Sequence, residues 1–325
     1  MMHEPPDALL APRYTGPRTY ARLPHLKDLS GVDCAVFGMP WDGGASFRPG
    51  ARFGPESIRS ASGMIRTYNA EQGVQVFGSL STIDYGDAPT VPGYIEDTLD
   101  RIDEFVTPLV EAGVTTIGMG GDHSATLGEL RALARVHGPL GLVHLDSHTD
   151  LWESYFGRPY AHGTMFRRAI EEGVVDPSRV LQAGMHGPLY GEADEDIPEE
   201  LGVEMIPWRR LAHIGPEEFA ARVAQRVGAG PTFLTFDIDF VDAAFAPGTG
   251  TPEVGGPTSF EALSIVRALS AVPFVGFDVV EVAPVYDGPG QITALLAANL
   301  IFDMLAMTAR ARAGASTPGE SRVRA

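Results

Sequence analysis

GLVHLDSHTD, residues 141–150, starts as an apolar run and ends in acids and an imidazole. Gly141, Leu142 and Val143 read as the body of a strand buried on both faces. Asp146, His148 and Asp150 follow at i, i+2 and i+4. Residues two apart in extended backbone point to the same side, so three metal-binding groups converge at one strand end. Two carboxylates and an imidazole crowded together are costly without a cation.

Working outward, TFLTFDID (232–239) has the same design, an apolar run ending in Asp237 and Asp239. Thr115 to Met119 is a third apolar run, followed by Gly120-Gly121-Asp122-His123-Ser124. The candidate ligand set is His123, Asp146, His148, Asp150, Asp237 and Asp239. Without a thiolate it is no structural zinc site. Oxygen-rich sites with a few imidazoles suit Mn2+, with Zn2+, Fe2+, Co2+ or Ni2+ as alternatives. Six ligands exceed one tetrahedral ion and suit two ions roughly 3.5–4 Å apart, sharing and acidifying a water. Asp122 reads as a cap of the following helix, and His144, one step deeper in its strand, as a core or supporting histidine.

Strands are expected at Cys34–Met39, Leu80–Asp84, Thr115–Met119, Leu140–Asp146, Val180–Gly184, Val203–Ile206, Thr232–Asp237 and Phe274–Val280. Helices are expected between them: Glu56–Ser62, Tyr94–Ala112, Ser124–Val136, Met165–Glu172, Pro216–Val227, Ser259–Leu269 and Gln291–Arg310. Alternation of this kind implies an α/β fold, a mostly parallel central sheet with helices on both faces. Ligands of such sheets sit at the carboxyl ends of the strands, where each cluster falls. The expected organisation is one domain over residues 1–311, with a proline-rich arm (1–30) on the surface or on a neighbouring subunit. Residues 312–325 read as a disordered tail.

The chain has 325 residues, 44% of them apolar, enough for a sizeable core. Lys and Arg total 24 against 42 Asp and Glu, a net charge of −18. That balance argues against a nucleic-acid or anionic-membrane surface. No run of 18 apolar residues suggests a membrane span. The N-terminus lacks the basic and apolar regions of a secretory signal. A single cysteine, Cys34, permits no internal disulfide and fits a cytoplasmic protein.

The three motifs resemble the metal signatures of the ureohydrolase (arginase–agmatinase) family, and the resemblance runs from about Val36 to Leu305. Phe47 to Pro55, His162 to Phe166, Ala246 to Pro252 and Asp278 to Pro284 are similar to the agmatinase branch. The resemblance implies a three-layer α/β/α arginase-like fold, two Mn2+ ions held by the six ligands, urea release, and a homo-oligomer (hexamer or trimer). It makes His162 the proton shuttle and Glu281 the carboxylate that holds a guanidinium, with Asp150 also taking a proton. The implied substrate is a small guanidino compound. Agmatine comes first; guanidinobutyrate, guanidinopropionate or a proclavaminate-like fragment is the alternative. A guanidine or formimino hydrolase and a catalytically silent homologue are the rival readings. Ser147, Ala243 and Met185-His186 depart from the family pattern. The last of these is expected near the substrate's tail; Arg158, Arg167 or His186 would favour a carboxylate there and Glu153 an amine, although each of the four reads first as a surface charge. The aromatic loop Trp152 to Tyr160 replaces the polar loop of arginase itself.

Overall fold

The protein's structure, a computed structural model, describes residues 2–315. Its centre is an eight-stranded sheet. In chain order the strands are β1 (Cys34–Met39), the hairpin pair β2 (Tyr68–Asn69) and β3 (Val74–Gln75), β4 (Thr82–Asp87), β5 (Thr115–Gly120), β6 (Leu140–Leu145), β7 (Val175–Ala183), β8 (Glu204–Ile206), β9 (Thr232–Asp237) and β10 (Phe274–Val280). The order across the sheet is β4-β1-β5-β10-β9-β6-β7-β8, and every neighbouring pair is parallel.

The central strands are apolar on both faces because helices cover both. Alternate residues feed two cores: Cys34 and Val36 one, Ala35, Phe37 and Met39 the other. The first core is closed by helices Gly54–Ala61, Trp208–Val227, Ser259–Ala268 and Ile292–Ala315, the second by Ile95–Glu111, Thr126–His137 and Met165–Glu171. The result is the three-layer α/β/α arrangement. Helix 292–314 is long and apolar enough to cross a membrane by composition, but most of it is buried within the fold.

Topology explains how scattered motifs meet. β5, β10, β9 and β6 are contiguous. Leu145 pairs with Phe236, so Asp146 and Asp237 leave the sheet side by side; Val280 pairs with Asp237 and delivers Glu281 next to them.

Some expectations need correction. The arm is not merely superficial: Tyr20 is fully buried, and its hydroxyl donates to the Ala298 carbonyl at 2.8 Å. The arm also bonds along β4 through Leu26 N–H to Asp84 O and Asp84 N–H to Pro24 O, which covers that sheet edge. The hairpin at 68–75 is too short to show a period. β7 begins at Val175, earlier than expected, because Asp176, Pro177 and Ser178 interrupt its apolar pattern. The helix expected from Pro216 starts at Trp208 and breaks at Gly215, whose φ is 77°. The last helix runs to Ala315, so 312–315 are helical rather than tail, and 316–325 lie outside the described residues.

Candidate metal centre and active site

His123 follows β5, and its Nδ1 lies 3.1 Å from Asp146 Oδ2, 3.2 Å from Asp150 Oδ2 and 3.2 Å from Asp237 Oδ2. His148 Nδ1 lies 3.5 Å from Asp146 Oδ1 and 3.3 Å from Asp239 Oδ2. Two donor clusters therefore share Asp146, one oxygen facing each. All six candidate ligands come together at the carboxyl ends of β5, β6 and β9. Asp146, Asp150, Asp237 and Asp239 are all buried, and among the described residues none of them ion-pairs with Lys or Arg.

The donor chemistry fits cations rather than protein partners. His123 Nε2 is 2.8 Å from Thr235 Oγ1, while the buried Nδ1 has no hydrogen bond despite its three carboxylate neighbours. A ring that donates from Nε2 turns an Nδ1 lone pair toward three anions, an arrangement that a metal ion resolves. Without a metal, a proton takes that place. Burial opposes the charged ring, but Asp146, Asp150 and Asp237 raise His123 well above its ordinary value. Burial and the charges of Asp239 and Asp146 likewise push Asp237 well up.

Supporting bonds fix the ligands. His144 Nε2 is 2.7 Å from Asp146 Oδ2 and its Nδ1 is 3.0 Å from Gln182 Nε2, so His144 donates to the shared carboxylate. Ser147 Oγ donates to Asp239 Oδ1 at 2.6 Å, and Thr251 Oγ1 to Asp239 Oδ2 at 3.0 Å. Asp122 caps the next turn through Ser124 N–H and also accepts from Gly44 N–H at 2.6 Å. That junction requires Gly121: a Cβ there would lie 1.9 Å from the Trp41 carbonyl.

Beside the clusters, His162 Nδ1 is 3.0 Å from Glu281 Oε1, which also accepts from His123 N–H at 2.9 Å. Glu281 Oε2 takes no hydrogen bond from the described residues. On the far side of the ring, Ser46 N–H donates to His162 Nε2 at 3.0 Å and Ser46 Oγ lies 2.7 Å away. Burial disfavours the imidazolium, yet the bond to Glu281 outweighs it and pushes His162 up to about 9. The Ser46 amide opposes that second proton, since one N–H cannot donate to another. The resting form with this geometry is neutral, protonated on Nδ1. Asp150 and Glu281 have φ of 52° and 63°, strained values for non-glycine residues of the kind found at functional sites.

A cavity of about 560 Å3 opens over His148, Asp150 and His162, walled by Phe47, Trp152, Tyr155, Phe156 and Tyr190. Arg48 and Glu253 line it; Arg158, Arg167, His186 and Glu153 do not. His186 lines a neighbouring cavity instead, and Arg167 is spent on the Leu151 carbonyl. Ser46, Thr235, Gln182 and Glu253 were not anticipated. Thr235 and Gln182 are single polar residues within apolar strands, and Ser46 and Glu253 lie in irregular loops, so none of them carries a motif.

The Arginase family profile matches residues 32–307. The guanidinopropionase of Pseudomonas aeruginosa is 43% identical over 311 residues, 95% of this chain and 97% of that protein. The mitochondrial agmatinase of Gallus gallus is 43% identical over 93% of this chain and 88% of its own length. The solved proclavaminate amidinohydrolase of Streptomyces clavuligerus superposes with a TM-score of 0.88 at 40% identity, covering 93% of this chain and 100% of that one. Fold, strand-end clusters and near full-length similarity agree: this chain belongs to the arginase family.

Proposed function

We propose that this hydrolase of guanidino compounds works through two Mn2+ ions, one held by His123, Asp146, Asp150 and Asp237 and the other by Asp146, His148 and Asp239. Bound there, such ions supply a hydroxide equivalent near neutral pH. The chain's own residues do the rest. Glu281 Oε2, left open by the protein, accepts guanidinium N–H groups and orients the planar cation. His162, neutral at rest with its Nδ1–H held by Glu281, takes up at Nε2 the proton that Asp150 receives from the attacking water and passes it to the departing amine nitrogen. Asp150 is placed to accept a proton from the attacking water. The C–N bond breaks, and R–NH–C(NH2)2+ plus water becomes R–NH3+ plus urea, with no net proton change. The observation that carries this reading is the convergence of six ligands, all buried except the half-buried His148 and without a Lys or Arg among them, beside a carboxylate with one open oxygen.

The substrate's tail is read from the cavity's charges. Arg48 stacks over Phe47 and Tyr286 at 5.3 and 5.2 Å from their ring centres and has no acidic partner among the described residues. That free cation favours a carboxylate tail, as in a guanidino acid, over the ammonium tail of agmatine. The names of the relatives include both substrate types. The test is urea release by Mn2+-loaded protein from agmatine, arginine, guanidine, 4-guanidinobutyrate and 3-guanidinopropionate. Turnover of a guanidino acid is expected to exceed that of agmatine and to fall in Arg48→Ala. A preference for agmatine would overturn the tail assignment, and no turnover of any would overturn the reaction.

A further inference from the structure

Glu253 is the acid in the cavity wall that the reaction above does not use. It lies in the irregular loop after β9, where Ala243 N–H donates to its carbonyl at 3.0 Å. Asp242 pins the same loop by accepting from Ala244 and Gly255 N–H groups. The carboxylate points back toward the clusters, with Oε1 3.6 Å from His148 Nε2. Its path is kept clear by Gly187, where a Cβ would come within 3.1 Å of that oxygen. The opposite ring nitrogen, Nδ1, faces Asp146 and Asp239.

We propose that Glu253 is a positioning residue for the ion shared by Asp146, His148 and Asp239, acting by accepting the Nε2–H of His148. A ring whose Nδ1 engages a cation becomes a stronger donor at Nε2. Closing the 3.6 Å separation by a few tenths of an ångström makes a charge-assisted hydrogen bond. Such a carboxylate fixes the ring's tautomer and orientation and raises its basicity toward the metal. It also removes Glu253 from the cavity's free charges, so an ammonium tail finds no unengaged acid there. The proposal rests on the two-ion reading, and its test separates the two.

Apo protein, prepared by chelation, is titrated with Mn2+ by calorimetry and followed by electron paramagnetic resonance, which distinguishes a coupled ion pair from single ions. Wild type, Glu253→Ala, Glu253→Gln and Glu253→Asp are compared. In Glu253→Ala, affinity for one of the two ions is expected to fall about 10–100-fold. The coupled signal and the activity should return at correspondingly higher Mn2+, and KM for cationic and anionic guanidines should change little. Glu253→Gln, which keeps an acceptor, should lie between it and wild type, and Glu253→Asp controls for folding with the charge retained. Wild type binding two ions while Glu253→Ala binds both unchanged overturns the proposal. So does unchanged binding with a raised KM for agmatine alone, which would make Glu253 a tail selector. Wild type binding fewer than two ions overturns the two-ion reading and this proposal together.

Discussion

The Nδ1 of His162 stands 3.0 Å from Oε1 of Glu281, while Ser46 N–H occupies the other ring nitrogen. One carboxylate therefore fixes the tautomer of His162 with one oxygen and leaves its second oxygen free of hydrogen bonds from the described residues, the oxygen that the proposed reaction gives to a guanidinium. Loss of a positioned acid–base group costs about 10²–10⁴-fold in rate. His162→Ala is expected to lower kcat in that range with little change in KM, whereas Glu281→Gln should weaken both. Steady-state urea release measures this, and a His162→Ala enzyme with wild-type kcat would remove His162 from the proton path.

Metal binding and stability are linked. Anything bound only by the folded state stabilises it, by about 2.7 kcal/mol per site at one hundred times Kd. Wild-type Tm should rise with added Mn2+. Asp237→Ala should show little rise and no urea release, although its metal-free Tm stays near that of wild type, because the lost carboxylate was held among other anions at a cost. An equal Mn2+-induced shift in both proteins would exclude Asp237 as a ligand.

The sign of the pH dependence follows from the metal-free cluster. His123 and Asp237 both hold their protons to higher pH than usual, His123 because three carboxylates outweigh its burial, Asp237 because burial and the neighbouring carboxylates add. Near neutrality the apo site is thus partly protonated, and an entering cation must displace those protons. Mn2+ affinity should rise as pH rises through neutrality. Calorimetry in buffers of different ionisation enthalpy should show net proton release on binding; none, or uptake, would contradict the arrangement.

At the sheet's edge, the buried Arg59 pairs with Asp84 at 2.7 Å and with Asp87 at 2.6 Å. Asp84 also accepts the Tyr20 N–H at 2.8 Å, so this ion pair ties the arm to β4. Removing one partner leaves a buried charge alone, a loss of about 3–5 kcal/mol. Arg59→Ala should lose about that much in chemical denaturation and expose the arm to protease. A loss under about 1 kcal/mol would mean that Asp84 is satisfied without it.

The parts legible in the sequence were those with a local period. The apolar runs ending in Asp146 and Asp237 announced both strand and ligand, because a buried parallel strand has no polar face to confuse the pattern. Asp-x-His-x-Asp gave the spacing of the ligands but not their partners. That Asp146 meets Asp237 across β6 and β9 depends on strand order, a long-range property. Arg48 and Glu253 went unread as the cavity's charges for the same reason: they lie in irregular loops whose paths are set by tertiary bonds such as those of Asp42 to Gly50 N–H and of Asp242 to Gly255 N–H. Tyr20 looked like part of a loose arm because its burial depends on Ala298, far along the chain.

Anomalous diffraction at the manganese edge from Mn2+-loaded crystals tests the central claim most directly. Two peaks about 3.5–4 Å apart are predicted, one among His123, Asp146, Asp150 and Asp237, the other among Asp146, His148 and Asp239, both facing Glu281. A single peak, or peaks away from these side chains, would contradict the account.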